Sequence, residues 1–190
     1  MTDYFALLQQ PRKPWLDPDE LKQKYQELTL AAHPDRARSD DTGLDFATIT
    51  EGYRVLRDDR LRIQHLLKLE GHAAGSGQAV PGELIDLFPE IGDFIGATDN
   101  LLERSANAQN ALSKSLLRSE ILQKQKLGET ILQKLTQWHE EALRDLRSLN
   151  DIWANDSAKA VAQLNDLQQR LAYLTRWIEQ VRERQFRLSN

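Results

Sequence analysis

Four histidines, 29 carboxylates and no cysteine bound the chemistry open to this 190-residue chain. Without thiols there is no disulfide, no cysteine nucleophile and no Cys-ligated zinc. His33, His65, His72 and His139 show neither i, i+4 spacing nor an acidic partner in a metal-binding pattern. Glycine-rich phosphate loops, Gly-x-Ser-x-Gly and convincing paired carboxylates are also missing from the sequence. The expectation is therefore no catalytic residue, no metal, no cofactor and no enzyme. What remains is the tripeptide His33-Pro34-Asp35. Pro34 fixes one dihedral and removes a donor, which holds a turn in a narrow set of shapes. Asp35 then offers a carboxylate from that turn, suited to a charge-assisted bond with an arginine on a partner. His33 can hydrogen-bond locally or to the partner. By average residue usage the tripeptide arises in roughly one chain of this size in a hundred, so its meaning depends on its flanks.

The flanks are patterned. Asp3 to Leu8 reads as a short apolar-bearing turn, ended by Pro11 and Pro14. Asp17-Pro18-Asp19-Glu20 is a helix start: Asp17 can accept from an orphan backbone N–H, Pro18 suits the first helical position, and Glu20 closes a capping box. Leu21, Tyr25, Leu28 and Ala32 then form one helix face, and Pro34 should stop the helix at His33. A polar loop, Arg36 to Gly43, precedes a second stripe at Phe46, Ile49, Tyr53 and Leu56. Two such helices should pack as an antiparallel hairpin with the tripeptide at its turn.

With these residues in place, the first seventy positions resemble the J-domain of DnaJ-like co-chaperones. Tyr4, Tyr25, Leu28, His33-Pro34-Asp35-Arg36, Phe46, Ile49, Tyr53 and Leu56 carry the resemblance. Within that family the chain is most similar to the HscB co-chaperones of iron–sulfur cluster assembly. Asp3-Tyr4-Phe5, Thr48-Ile49 with Leu56-Arg57, and Leu61-Arg62 with Leu66-Leu67-Lys68-Leu69-Glu70-Gly71 support that branch. The resemblance implies two partners, a DnaK/HscA-type chaperone ATPase and an iron–sulfur scaffold protein of the IscU-like kind. It implies that His33, Pro34 and Asp35, with Lys22, Lys24 and Arg36, dock on the ATPase and stimulate it. One departure stands out. The helix before the loop is usually basic, whereas Lys22 and Lys24 point roughly 200° apart and Gln26 and Glu27 occupy positions often basic in DnaJ itself. Those lysines fit a modest docking face or a plain solvated helix surface.

The small, polar stretch from His72 to Gln78, closed by Pro81-Gly82, reads as a linker. The division expected is 1–72 for the J-domain, 73–82 for the linker and 83–190 for a helical bundle. The bundle's first helix carries Leu84, Leu87, Phe88, Ile91, Phe94, Ile95, Leu101 and Leu102, with Pro89 starting or kinking it. Cleaner stripes follow, at Leu127, Ile131, Leu135, Trp138, Ala142, Leu146, Leu149 and Trp153, and at Leu164, Leu167, Leu171, Leu174, Ile178 and Val181. A cap at Asp156 or Ser157 separates them. These describe two long antiparallel helices, so the fold class is all-α: a helical hairpin followed by a three-helix bundle. By the same resemblance, client-binding residues would be Leu87, Phe88, Glu90, Ile91, Asp93 and Phe94. The alternative for the apolar members is bundle core; a partner surface would leave them exposed and unpacked.

Charge and hydropathy remove other classes. The net charge of -4 divides evenly, with 11 basic and 13 acidic residues over 1–72 and 14 and 16 over the rest, which disfavours nucleic acid. No apolar run approaches the roughly 18–20 residues of a membrane span. The start lacks the features of a signal peptide, so a cytoplasmic location is expected. The function expected is a co-chaperone that stimulates a partner's ATPase and delivers an iron–sulfur scaffold. The alternatives are a J-protein for a different client and a helical adaptor without chaperone activity.

Overall fold

The computed structural model describes residues 1–32, 45–72 and 81–189. The tripeptide with Arg36, the loop to Gly43, and most of the expected 73–82 linker lie outside those residues. Among the described residues there are seven α-helices and no strand, as the sequence pattern requires. Cα proximity divides the chain into two compact units. One comprises Met1–Gly77 with Arg144–Gln168, the other Gln78–Leu143 with Gln169–Asn190.

In the first unit, α1 (Tyr4–Leu7) is capped by Asp3, whose Oδ1 accepts the Phe5 and Ala6 amides. The helix α2 (Pro18–Ala31) opens as its cap sequence dictates: Asp17 Oδ1 accepts the Asp19 and Glu20 amides at 2.9 and 3.3 Å, with Pro18 at the first position. The helix α3 (Phe46–Arg57) packs against α1, α2 and α4. Of its expected stripe, Ile49 and Leu56 are buried and Tyr53 half-buried, but Phe46 is 49% exposed because it sits in the first turn, beyond the reach of the core. A further helix, α4 (Asp59–Leu69), brings Ile63, Leu66 and Leu67 into the same core.

Two buried polar side chains of α4 tie this unit together. Arg62, 3% exposed, donates through Nε to the Pro14 carbonyl and through Nη1 to the Leu56 carbonyl, both at 2.7 Å, and also bonds Asp59. His65 Nε2 accepts the Tyr4 backbone N–H at 3.2 Å beneath the Tyr4 and Phe5 rings. The unit also takes in the Arg144–Gln168 stretch. Asn150 brackets Trp15, accepting its N–H at 2.9 Å and donating to its carbonyl at 3.0 Å. The Arg147 guanidinium lies 4.0 Å over the Trp15 ring, and Trp153 Nε1 donates to the Arg12 carbonyl.

In the second unit, a single 3₁₀ turn (Gly82–Leu84) precedes α5 (Leu87–Ala106). Pro89 falls in the first turn of α5, where an N–H has no intrahelical partner to lose. The helix α6 (Ala111–Asn155) starts sixteen residues before the clean stripe does at Leu127, which is itself 42% exposed. Asn110 caps it, accepting the Ser113 amide at 2.7 Å, and the stretch that follows is rich in strong helix formers. Of that added stretch Leu117 is buried with Leu101 and Leu188, while Leu112, Leu116 and Leu122 face solvent. The helix α7 (Ser157–Ser189) follows a one-residue break at Asp156, whose Oδ1 accepts the Lys159 amide. Every member of its expected stripe is buried.

Gly128 marks a close approach of α5, α6 and α7. A Cβ there would meet the Gln185 side chain and Phe94 Cζ, the latter at 2.8 Å. Gln185 is held in turn by its 2.6 Å bond to the Gln125 carbonyl. Helix propensity alone favours alanine by about 1 kcal/mol, whereas overpacking a core costs about 1–3 kcal/mol. Phe94 is buried and cannot swing aside, so the steric cost should win. Gly128→Ala is expected to lower the urea unfolding midpoint, equivalent to about 1 kcal/mol net; a raised midpoint would refute this account of the crossing.

The His65 contact predicts a pH dependence. Burial pushes its pKa below the ordinary histidine value, with Lys68 and Arg12 acting in the same direction and Asp3 opposing. Above the unfolded value of about 6.5 both states are neutral and the contact contributes in full. As pH falls through that value the unfolded chain takes up the proton first, so stability declines until the folded value is passed. The urea midpoint should fall between pH 7.5 and 5.5, and His65→Gln, which keeps an acceptor but cannot titrate, should flatten that fall.

Candidate functional site

The two helices that flank the His33-Pro34-Asp35 loop are held in register by aromatic contact. Tyr25 of α2 and Tyr53 of α3 stack at 4.2 Å between ring centroids, inclined by 12°, and the Arg57 guanidinium lies 5.7 Å over the Tyr53 ring. Leu21 is fully buried at the other end of the same interface. Gly52 lets α1 approach α3, since a Cβ there would already stand 3.2 Å from Leu7 and Tyr4 side-chain atoms. The Arg62 clamp fixes the chain at Pro14, just ahead of the α2 cap. The ends of α2 and α3 are thus parts of one packed base.

The docking residues expected from the sequence fall in three places. His33, Pro34, Asp35 and Arg36 lie outside the described residues. Lys22 is exposed on α2. Lys24 is half-buried, and its Nζ bonds Glu27 Oε2 at 2.9 Å, while Gln23 donates to the other Glu27 oxygen at 3.1 Å. The Lys24 and Gln23 bonds pull the exposed Glu27 carboxyl below its usual range. Much of the charge on Lys24 is therefore already matched within its own helix.

The six expected client-binding residues divide between two faces of α5. Leu87, Ile91 and Phe94 are each 2–3% exposed and belong to the bundle core. Phe88, Glu90 and Asp93 point outward. Phe88 is 56% exposed, meets Trp177 edge-to-face, and shares a shallow apolar depression with Ile85, Asp86 and Pro89. Glu90 pairs with Lys134 at 2.8 Å. Ile85, also 56% exposed, was not singled out by sequence. The signal was present: Leu84, Leu87, Ile91 and Phe94 keep a strict inward spacing, and Ile85 and Phe88 each follow a member of it by one residue. Among the described residues no cluster of His, Asp and Glu could hold a metal, and no helix is long and apolar enough to cross a membrane.

Comparison with known proteins agrees with this geometry. The DnaJ domain family matches residues 3–65, which span the described helices α1 to α3 and most of α4. The chain is similar to the Co-chaperone protein HscB of Proteus mirabilis, 28% identical over 175 residues that cover 89% of this chain and 97% of that protein. It is also similar to the Chaperone protein DnaJ of Acetobacter pasteurianus, 37% identical over 76 residues, 40% of this chain and 19% of that one. The second likeness is confined to less than half of this chain, whereas the first runs almost from end to end. The fold is that of the chaperone HscB from Vibrio cholerae, with a TM-score of 0.57 and 96% of each chain covered, at 19% identity. Residues 3–65 thus match the DnaJ domain, and the chain is similar over almost its whole length to an HscB co-chaperone.

Proposed function

We propose that the protein is a co-chaperone: residues 1–72 stimulate a DnaK/HscA-type ATPase, and residues 83–190 hold an IscU-like iron–sulfur scaffold as the client. The observation that carries this reading is the near end-to-end likeness to an HscB co-chaperone, with the His33-Pro34-Asp35 sequence lying inside the DnaJ-domain match. The iron–sulfur part follows from the HscB resemblance alone. The chemistry assigned to the protein is recognition; hydrolysis belongs to the partner. Asp35 supplies a carboxylate for a cation on the ATPase, Pro34 restricts one backbone dihedral so that less ordering is required on docking, and His33 adds a hydrogen-bonding group. Lys22 and Arg36 add charge at the margins. The cytoplasm is the proposed location.

The reading is tested by single-turnover ATP hydrolysis on a DnaK/HscA-type chaperone. The wild-type protein should accelerate the step, and Asp35→Asn should lose at least about 90% of that acceleration while leaving the unfolding midpoint unchanged. Stimulation that survives Asp35→Asn would show that the loop does not act as proposed.

For the client, the outward residues Phe88, Glu90 and Asp93, together with Ile85, make the contact, and Leu87, Ile91 and Phe94 support it from the core. A half-exposed phenylalanine beside an isoleucine is the kind of anchor that dominates small interfaces. Phe88→Ser should weaken capture of an iron–sulfur scaffold by roughly tenfold, in keeping with a hot-spot truncation, without lowering stability. Unchanged capture would remove this face from the client surface, and failure of the wild-type protein to capture scaffold would remove the iron–sulfur assignment.

A further inference from the structure

The first four turns of α6 differ from the rest of the chain in both charge and exposure. Between Ala111 and Leu127, Lys114, Arg118, Lys124 and Lys126 stand against Glu120 alone, a net charge of +3 in a chain whose total is -4. Glu120 is already engaged, accepting from both Nη atoms of Arg104 on α5 at 2.8 and 3.0 Å. Among the described residues no ion pair reaches the other four. The same turns leave Leu112, Leu116, Leu122 and Leu127 between 42 and 72% exposed. A singly exposed leucine is ordinary. Four on one short stretch of helix form a patch, and a patch marks a contact surface.

Helix geometry turns most of that patch one way. At about 100° per residue, Leu112, Leu116, Gln123 and Leu127 fall within an arc of about 60°. Leu116, Gln123 and Leu127 face Ala97, Asn100 and Arg104 of α5 across an open groove. Leu101 and Leu117, both buried, form its base, and the Arg104–Glu120 bridge joins its walls. Lys124 lines the groove at the Leu127 end, and Lys126 lies about 40° beyond its rim. Lys114 and Arg118 carry positive charge round the outward side, while Glu103 lines the opposite end. The groove is therefore apolar along its length and positive at one end.

We infer that this groove docks an amphipathic helix of a partner protein, with apolar anchors along one face and carboxylates on the flank that meets Lys124 and Lys126. From Leu112 to Leu127 the wall runs about 22 Å, the length of a helix of about four turns. An apolar groove of that length between two helices suits an i, i+4, i+7 set of anchors, and the unpaired lysines select an acidic flank. A second copy laid antiparallel on the same stretch would set Lys114, Arg118 and Lys126 near their own equivalents, which like-charge repulsion opposes. The site is separate from the client face at Ile85 and Phe88, because Phe88 and Arg104 stand about 24 Å apart along α5. It does not depend on the iron–sulfur assignment.

The test uses the full-length protein with labelled leucine and isoleucine methyls, followed by NMR. The probes are two synthetic helical peptides of about sixteen residues with leucines at the same i, i+4, i+7 positions, one bearing glutamates on its flanks and the other lysines. The glutamate peptide should bind with a Kd of the order of 10 μM at low salt and shift the methyls of Leu112, Leu116 and Leu127, and the lysine peptide should bind at least about tenfold more weakly. Leu116→Ser, and Lys124→Glu combined with Lys126→Glu, should each weaken the glutamate peptide by at least about fivefold while leaving the urea midpoint unchanged. No binding of the glutamate peptide, equal binding of the two peptides, or shifts centred on Ile85 would overturn the proposal. So would phosphatidylserine vesicles that shift the same leucine methyls where the glutamate peptide does not, which would assign the patch to a lipid surface.

Discussion

One buried guanidinium organises the N-terminal unit. Arg62 sits in a nearly water-free position and directs its donors at the Pro14 carbonyl, the Leu56 carbonyl and Asp59. Those acceptors belong to three separate stretches: the extended segment before α2, the last turn of α3, and the first turn of α4. A buried arginine is tolerated only where its hydrogen bonds are met, and here they are met only if all three stretches are in place together. The clamp therefore makes the entry to α2 depend on the α3–α4 corner. The placing of α2 against α3 thus depends on a residue that lies beyond both of them in the chain.

The same extended segment is gripped a second time. Asn150 satisfies both backbone groups of Trp15, Arg147 covers its ring, and Trp153 takes up the Arg12 carbonyl. Backbone groups in an irregular segment need partners wherever they are removed from water, and a helix stretch 130 residues away supplies them. This is why Arg144–Gln168 belongs with the first unit although it lies within the long helices α6 and α7. The N-terminal fold thus recruits structural support from a distant part of the chain.

In the second unit the decisive contrast is between stripe and off-stripe apolar residues. Leu84, Leu87, Ile91 and Phe94 are consumed by the core, and Gly128 leaves room for the Phe94 ring. Ile85 and Phe88 are left facing solvent at the start of α5. Burial of the first set contributes stability in proportion to the area removed from water. Exposure of the second set leaves apolar area in water at the start of α5.

The sequence by itself determined the helices and their caps. Asp17-Pro18, Asp156 and the apolar spacings from Leu127 to Val181 act locally, through hydrogen bonds and periodicity that each residue carries with it. It also carried the resemblance to DnaJ-like proteins, through the tyrosines, His33-Pro34-Asp35 and the exit segment Leu66 to Gly71. The spacing of Leu84, Leu87, Ile91 and Phe94 already marked the inward face of α5, and packing then left Ile85 and Phe88 in solvent. The sequence did not reveal Arg62, His65 or Asn150, whose roles are set by acceptors and donors 6 to 135 positions away. Those were decided by tertiary structure alone, because a buried polar group acquires its meaning only from the partners that folding brings to it.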